Sequence, residues 1–211
     1  AERKFYQLMT IFSNVGFIGY PVVNAVIGPE GMAFAALFNL GFNLLIFTYG
    51  IVLLRQGQAS VNWKTFLSAG TLSGVLAIVL LLTKLTVPTP VVSCLSYMGS
   101  AMTFFASAII GHSLAGTSFK KVLENRKTYG FIVLRYLLVP ILLGLALKRV
   151  VSNDLLLNVF LLLLAMPAAN MPLMMAQEYD MDTDTLTGGI VLSTVCSIVT
   201  ITVVATVVNM L

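Results

Sequence analysis

Charge is scarce in this sequence. Only 9% of its 211 residues are Asp, Glu, Lys or Arg, against about 25% in a soluble domain. With 58% hydrophobic residues and a mean hydropathy of +0.97, the chain reads as an all-α membrane protein with the lipid bilayer as its solvent. The net charge of +4 does not make nucleic acid a partner. The basic residues fall between apolar runs, where orientation in the membrane accounts for them.

Negative charge is missing from the interior of every apolar run. Glu2, Glu30, Glu124, Asp154, Glu178, Asp180, Asp182 and Asp184 all lie in termini, loops or span ends. No mid-membrane carboxylate is therefore present to hold a driving cation. The two cysteines, Cys94 and Cys196, sit inside apolar runs and serve as small hydrophobes. The single histidine, His112, is close to a loop and reads as an interfacial polar residue rather than a proton relay. No metal-ligand cluster or nucleophile–base pair occupies the apolar interior, so no cofactor, metal or enzymatic activity is expected. Asp180, Asp182 and Asp184 alternate like the start of a calcium loop, but Thr185 replaces the turn glycine and no bidentate glutamate follows. They fit the acidic start of a helix.

What the chain does have is long apolar runs. Seven candidate transmembrane helices cover 5–28, 31–54, 66–85, 90–119, 128–147, 155–179 and 185–211, each near or above the ~20 residues that cross a bilayer. Arg3, Lys4, Arg55, Lys64, Lys120, Lys121, Arg126 and Lys127 fall on one side; Lys84, Lys148 and Arg149 fall on the other. Positive-inside then puts the N-terminus in the cytoplasm and the C-terminus outside. The opening Ala1-Glu2-Arg3-Lys4 shows no signal-peptide pattern, and the chain reads as part of a longer protein.

Two of the runs carry signs of interruption. Run 155–179 holds Pro167 and Pro172 with Asn170 between them, and a proline inside a helix costs about 3 kcal/mol or more. Run 5–28 holds Asn14, Gly16, Gly19 and Pro21; each such glycine costs about 1 kcal/mol relative to alanine. Unwound backbone survives in hydrocarbon only where protein or a water-filled cavity surrounds it. The two runs lie five crossings apart and so run antiparallel, the pattern of an inverted-repeat secondary transporter. Gly16, Pro21, Pro167 and Pro172 are the expected breaks, with Pro21 and Pro172 starting new half-helices. Their free amides, with partial positive charge, would meet near the midplane and hold an anion without a buried lysine or arginine.

The candidate substrate-binding residues are Asn14, Gly19, Pro21, Asn170 and Pro172, joined by Asn39 and Asn43, four apart on one helix face, for which bonding across helices is the other reading. Met171, Met174 and Met175 are expected in the core. Arg135, inside run 128–147, is expected to snorkel to the cytoplasmic interface; attraction of anions is its alternative role.

Ser13-Asn14 through Ile18-Gly19-Tyr20-Pro21, Met166-Pro167 through Asn170-Met171-Pro172 with Ala176-Gln177-Glu178-Tyr179, and Leu134-Arg135-Tyr136 with Pro140 resemble the auxin efflux carrier family. That family includes plant auxin carriers and bacterial organic-acid permeases. The resemblance implies a ten-helix fold of two inverted five-helix repeats, with two crossed broken helices at the substrate site and a scaffold that makes homodimer contacts. On that plan, residues 1–54 are the last two helices of the first repeat (broken helix 5–28, helix 31–54). Residues 64–211 form the complete second repeat, with its broken helix at 155–179, and about three N-terminal helices are missing. The implied function is carriage of small organic anions, such as carboxylates, across the plasma (bacterial inner) membrane by alternating access. A transporter-like anion sensor without transport is the alternative. A heptahelical receptor fits less well, because its N-terminus lies on the other side.

Overall fold

The structure, a computed structural model, describes residues 2–55, 69–116 and 126–210. Its elements there are helical, and one isolated antiparallel bridge is the only β-pairing among the described residues. Lys64, Lys120, Lys121 and Glu124, used above in placing the loops, lie outside the described residues.

Run 5–28 is two helices, α1 (Glu2–Ile11) and α2 (Val15–Val26), the second opening on a π-helical turn at Val15–Gly19. Gly28, at φ 103°, reverses the chain into α3 (Pro29–Leu54). Then come α4 (Ala69–Thr83) and α5 (Thr89–Gly116). Helix α6 (Arg126–Leu147) contains a π-helical turn at Val133–Leu138, just ahead of Pro140. Proline has no amide to return to the preceding turn, and the local shift to wider hydrogen bonds absorbs that loss. Run 155–179 is again two helices, α7 (Asp154–Leu164) and α8 (Met171–Glu178), and α9 (Asp184–Met210) closes the chain.

Length and composition alone make three of these helices able to cross a membrane: α3, α6 and the part of α9 at Asp184–Val207. Helix α2 and α7 are apolar but shorter. Local chemistry explains the helix starts. The Asn153 side chain accepts a hydrogen bond of 2.9 Å from the Leu156 amide at the start of α7. Ahead of α9, Asp182 accepts from the Asp184 amide at 3.1 Å, and Asp184 lies in the first turn, where acidic residues oppose the helix dipole.

The core lies where the two split runs meet. Phe5, Leu8, Met9 and Phe12 pack with Ile132 and Tyr136 of α6, Leu173 and Ala176 of α8, and Leu186 and Ile190 of α9. A second cluster joins Val23 of α2 and Ala35 of α3 to Val159, Leu162 and Leu163 of α7. Glycine sets two of the approaches: a Cβ at Gly189 would overlap the Met9 sulfur, and one at Gly19 would sit 2.8 Å from a Leu163 methyl. Helix α5 instead leaves Tyr97, Met98, Phe104 and Phe105 exposed. For a chain solvated by hydrocarbon, apolar exposure carries no hydrophobic cost.

Candidate functional site

Both split runs break, and the breaks touch. Ser13 pairs with Ala168 in the antiparallel bridge. The Asn14 amide donates to the Pro167 carbonyl at 2.8 Å, and the Ala169 amide donates to the Phe12 carbonyl at 2.9 Å. Each segment thus supplies the partner that the other lost when its helix stopped, which keeps polar backbone tolerable away from water. The Ala168 amide donates to the Ser193 hydroxyl of α9 at 3.2 Å, and that hydroxyl donates in turn to the Ile190 carbonyl at 3.0 Å.

The ends of α1 and α7 bring carbonyl oxygens to one place, and α6 answers them. Arg135 does not snorkel: it is 5% exposed. Its Nε donates to the Thr10 carbonyl at 2.6 Å, and one terminal nitrogen donates to the Leu164 carbonyl at 2.9 Å. The other terminal nitrogen donates to the Ser13 hydroxyl at 3.1 Å. The next residue, Tyr136, donates its hydroxyl to the Met9 carbonyl at 2.7 Å. Snorkelling is preferred when nothing inside can satisfy the guanidinium, and here two helix C-termini offer oxygen acceptors. Arg135 also lines a cavity of about 300 Å³, walled mainly by Phe12, Phe38, Phe42, Phe160 and leucines.

The opposite side of the breaks is where the two new helices start. A cavity of about 180 Å³ there is lined by Asn14, Gly16, Phe17, Asn39, Asn43, Ala169, Asn170 and Met171, among others. The residues lining it carry no charge. Asn14 caps α2, its side-chain oxygen accepting from the Phe17 amide at 3.2 Å. Asn170 stands at the N-cap of α8 without a side-chain capping bond, 8% exposed. Its carboxamide lines the cavity with no hydrogen-bond partner among the described residues.

Other sequence candidates lie elsewhere. Gly19 and Pro21 are wound into α2, beyond the interruption at residues 12–14; Gly19 packs on Leu163, and Pro21 is exposed. Pro167 lies in the non-helical stretch, and Pro172 is buried in the first turn of α8. Among the methionines, Met175 is buried in the core, Met171 packs against it and lines the cavity, and Met174 is partly exposed. Sequence reasoning missed Ser193, met Tyr136 only as part of the family resemblance, and misassigned Arg135. A lone cation in an uncharged run, with no acidic partner nearby in sequence, was the available signal. Ser193→Ala removes the acceptor of the Ala168 amide. It is expected to cost about 1–3 kcal/mol, read as a lowered unfolding temperature of the chain in detergent.

Two helical runs broken within the apolar interior and joined at their breaks define a membrane protein organised around a central irregular site. The family described as "membrane transport protein" matches residues 1–205, and the chain belongs to that family, which contains the auxin efflux carriers. It is also similar to the uncharacterized transporter MJ1031 of Methanocaldococcus jannaschii, at 28% identity over 203 residues. That match covers 92% of this chain but 65% of the relative, so the chain spans less than two thirds of that protein's length.

Proposed function

We propose that this chain is part of a secondary transporter for small organic anions, carboxylates above all, working by alternating access. The observation that carries this is the uncharged cavity where four asparagines meet the starts of two helices. First-turn amides of a helix lack helical partners and carry partial positive charge. Asparagine side chains add donors that can turn towards a carboxylate; Asn39 shares a hydrogen bond with Tyr20, whereas Asn170 has its carboxamide free for that role among the described residues. Pockets for drug-sized ligands measure roughly 300–1,000 Å³, so a cavity of about 180 Å³ suits a small carboxylate.

The antiparallel contact between the breaks also supports the ten-helix plan of inverted repeats, with α1–α2 and α7–α8 as its two crossed broken helices. On that plan the protein sits in the plasma membrane, with the N-terminus of this chain cytoplasmic and a scaffold suited to homodimer contacts. The test is reconstitution of the full chain in proteoliposomes with radiolabelled succinate. Saturable, competitor-sensitive uptake is the expected result. Saturable binding without flux would replace the carrier with an anion sensor.

A further inference from the structure

We infer that Arg135 sets the preference for anions at the asparagine-lined cavity without lining it, by cancelling the negative helix ends behind the breaks. This inference rests on the anion-site reading. The breaks have two electrical poles. The first residues of α2 and α8 line the cavity, while α1 and α7 end behind the breaks, where the carbonyls of Thr10 and Leu164 both accept from Arg135. A helix C-terminus is equivalent to about −0.5 of an elementary charge. The two ends therefore sum to about −1, close to what one guanidinium offsets.

Without that cation, the carbonyl pole would oppose any anion held by the amide pole. Ser13, which accepts from Arg135 at 3.1 Å, precedes Asn14 of the cavity in sequence, so the two poles are only residues apart. The guanidinium is buried, and no salt bridge to it is recorded among the described residues. Its charge is spent on peptide dipoles and not on a carboxylate. Arg135 is thus a positioning and selectivity residue that acts through the backbone.

The test separates charge from architecture. Ser13→Asp leaves the guanidinium and its two carbonyl bonds in place but pairs its charge with a carboxylate. Arg135→Gln removes the charge, and Arg135→Lys keeps it. Succinate, succinamate and succinamide have the same carbon skeleton and carry two, one and no negative charges. Their binding to the full chain in lipid nanodiscs is measured by calorimetry. A unit charge about 10 Å away changes affinity roughly tenfold per ligand charge.

The unaltered chain and Arg135→Lys should bind succinate most tightly and succinamide least. In Ser13→Asp and Arg135→Gln, succinate should lose roughly a hundredfold and succinamate roughly tenfold, with succinamide little changed. A uniform loss for all three ligands, or an unchanged order in the Ser13→Asp chain, would overturn the role given to Arg135 while leaving the anion site standing. If the unaltered chain binds none of them, or binds succinamide as well as succinate, the anion-site reading itself fails.

Discussion

Arg135→Ala is expected to cost the folded chain about 4–6 kcal/mol. Three hydrogen bonds from a charged donor are lost together, at Thr10, Leu164 and Ser13, each worth about 1.5–3 kcal/mol. Of the three acceptors left behind, Ser13 is buried, Leu164 is half-buried and Thr10 is exposed, so the Ser13 hydroxyl has the least access to a replacement donor. Non-additivity among bonds of a single side chain brings the total below the simple sum. Thermal or denaturant unfolding in detergent gives the measurement. A loss under 1 kcal/mol would show that the ends of α1 and α7 are held by the peptide bridge alone. Arg135→Lys should recover part of the stability, because one ammonium reaches fewer of the three acceptors than a planar fork does.

The second large effect concerns binding. Replacing Asn14 and Asn170 together with alanine is expected to lower succinate affinity by about a hundredfold or more. Two hydrogen bonds to a charged ligand contribute roughly 1.5–3 kcal/mol each, and each 1.4 kcal/mol is tenfold. The single variants should differ in stability. Asn14 caps α2 through the Phe17 amide, so Asn14→Ala should cost about 1 kcal/mol. Asn170 makes no such bond, so Asn170→Ala should leave the unfolding temperature nearly unchanged while weakening binding. Unaltered affinity in the double variant would remove the asparagines from the site.

Much of this layout can be read along the chain. Pro167 and Pro172 mark a stretch that cannot stay wound, and residues 165–170 indeed lie outside any helix. The first interruption is less legible. Gly16, Gly19 and Pro21 draw attention because they weaken helices, yet the chain opens just before them, at residues 12–14. The reason is tertiary. Phe12 and Asn14 gain backbone partners from Ala169 and Pro167, whereas Gly19 is needed small against Leu163. Pattern along one segment reports intrinsic preference and not the partner that decides where unwinding is compensated. The same gap hides Arg135. A single charge in an apolar run has a default path to the interface, and only the convergence of two helix ends, from parts of the chain far apart in sequence, supplies a better one. Asn39 and Asn43 show the opposite case: four-residue spacing places them on one face of α3, and both line the cavity with Gly16.

The pairing of Phe12 and Asn14 with Ala169 and Pro167 also has a consequence for biosynthesis. The earlier segment leaves the ribosome long before its complement has been translated. Until then its exposed peptide groups lie in or beside a bilayer that offers them no acceptor or donor. The earlier segment must therefore wait, sheltered at the insertion machinery or held near the headgroups, for Pro167 and Ala169 to be made. Assembly of this centre is a late step.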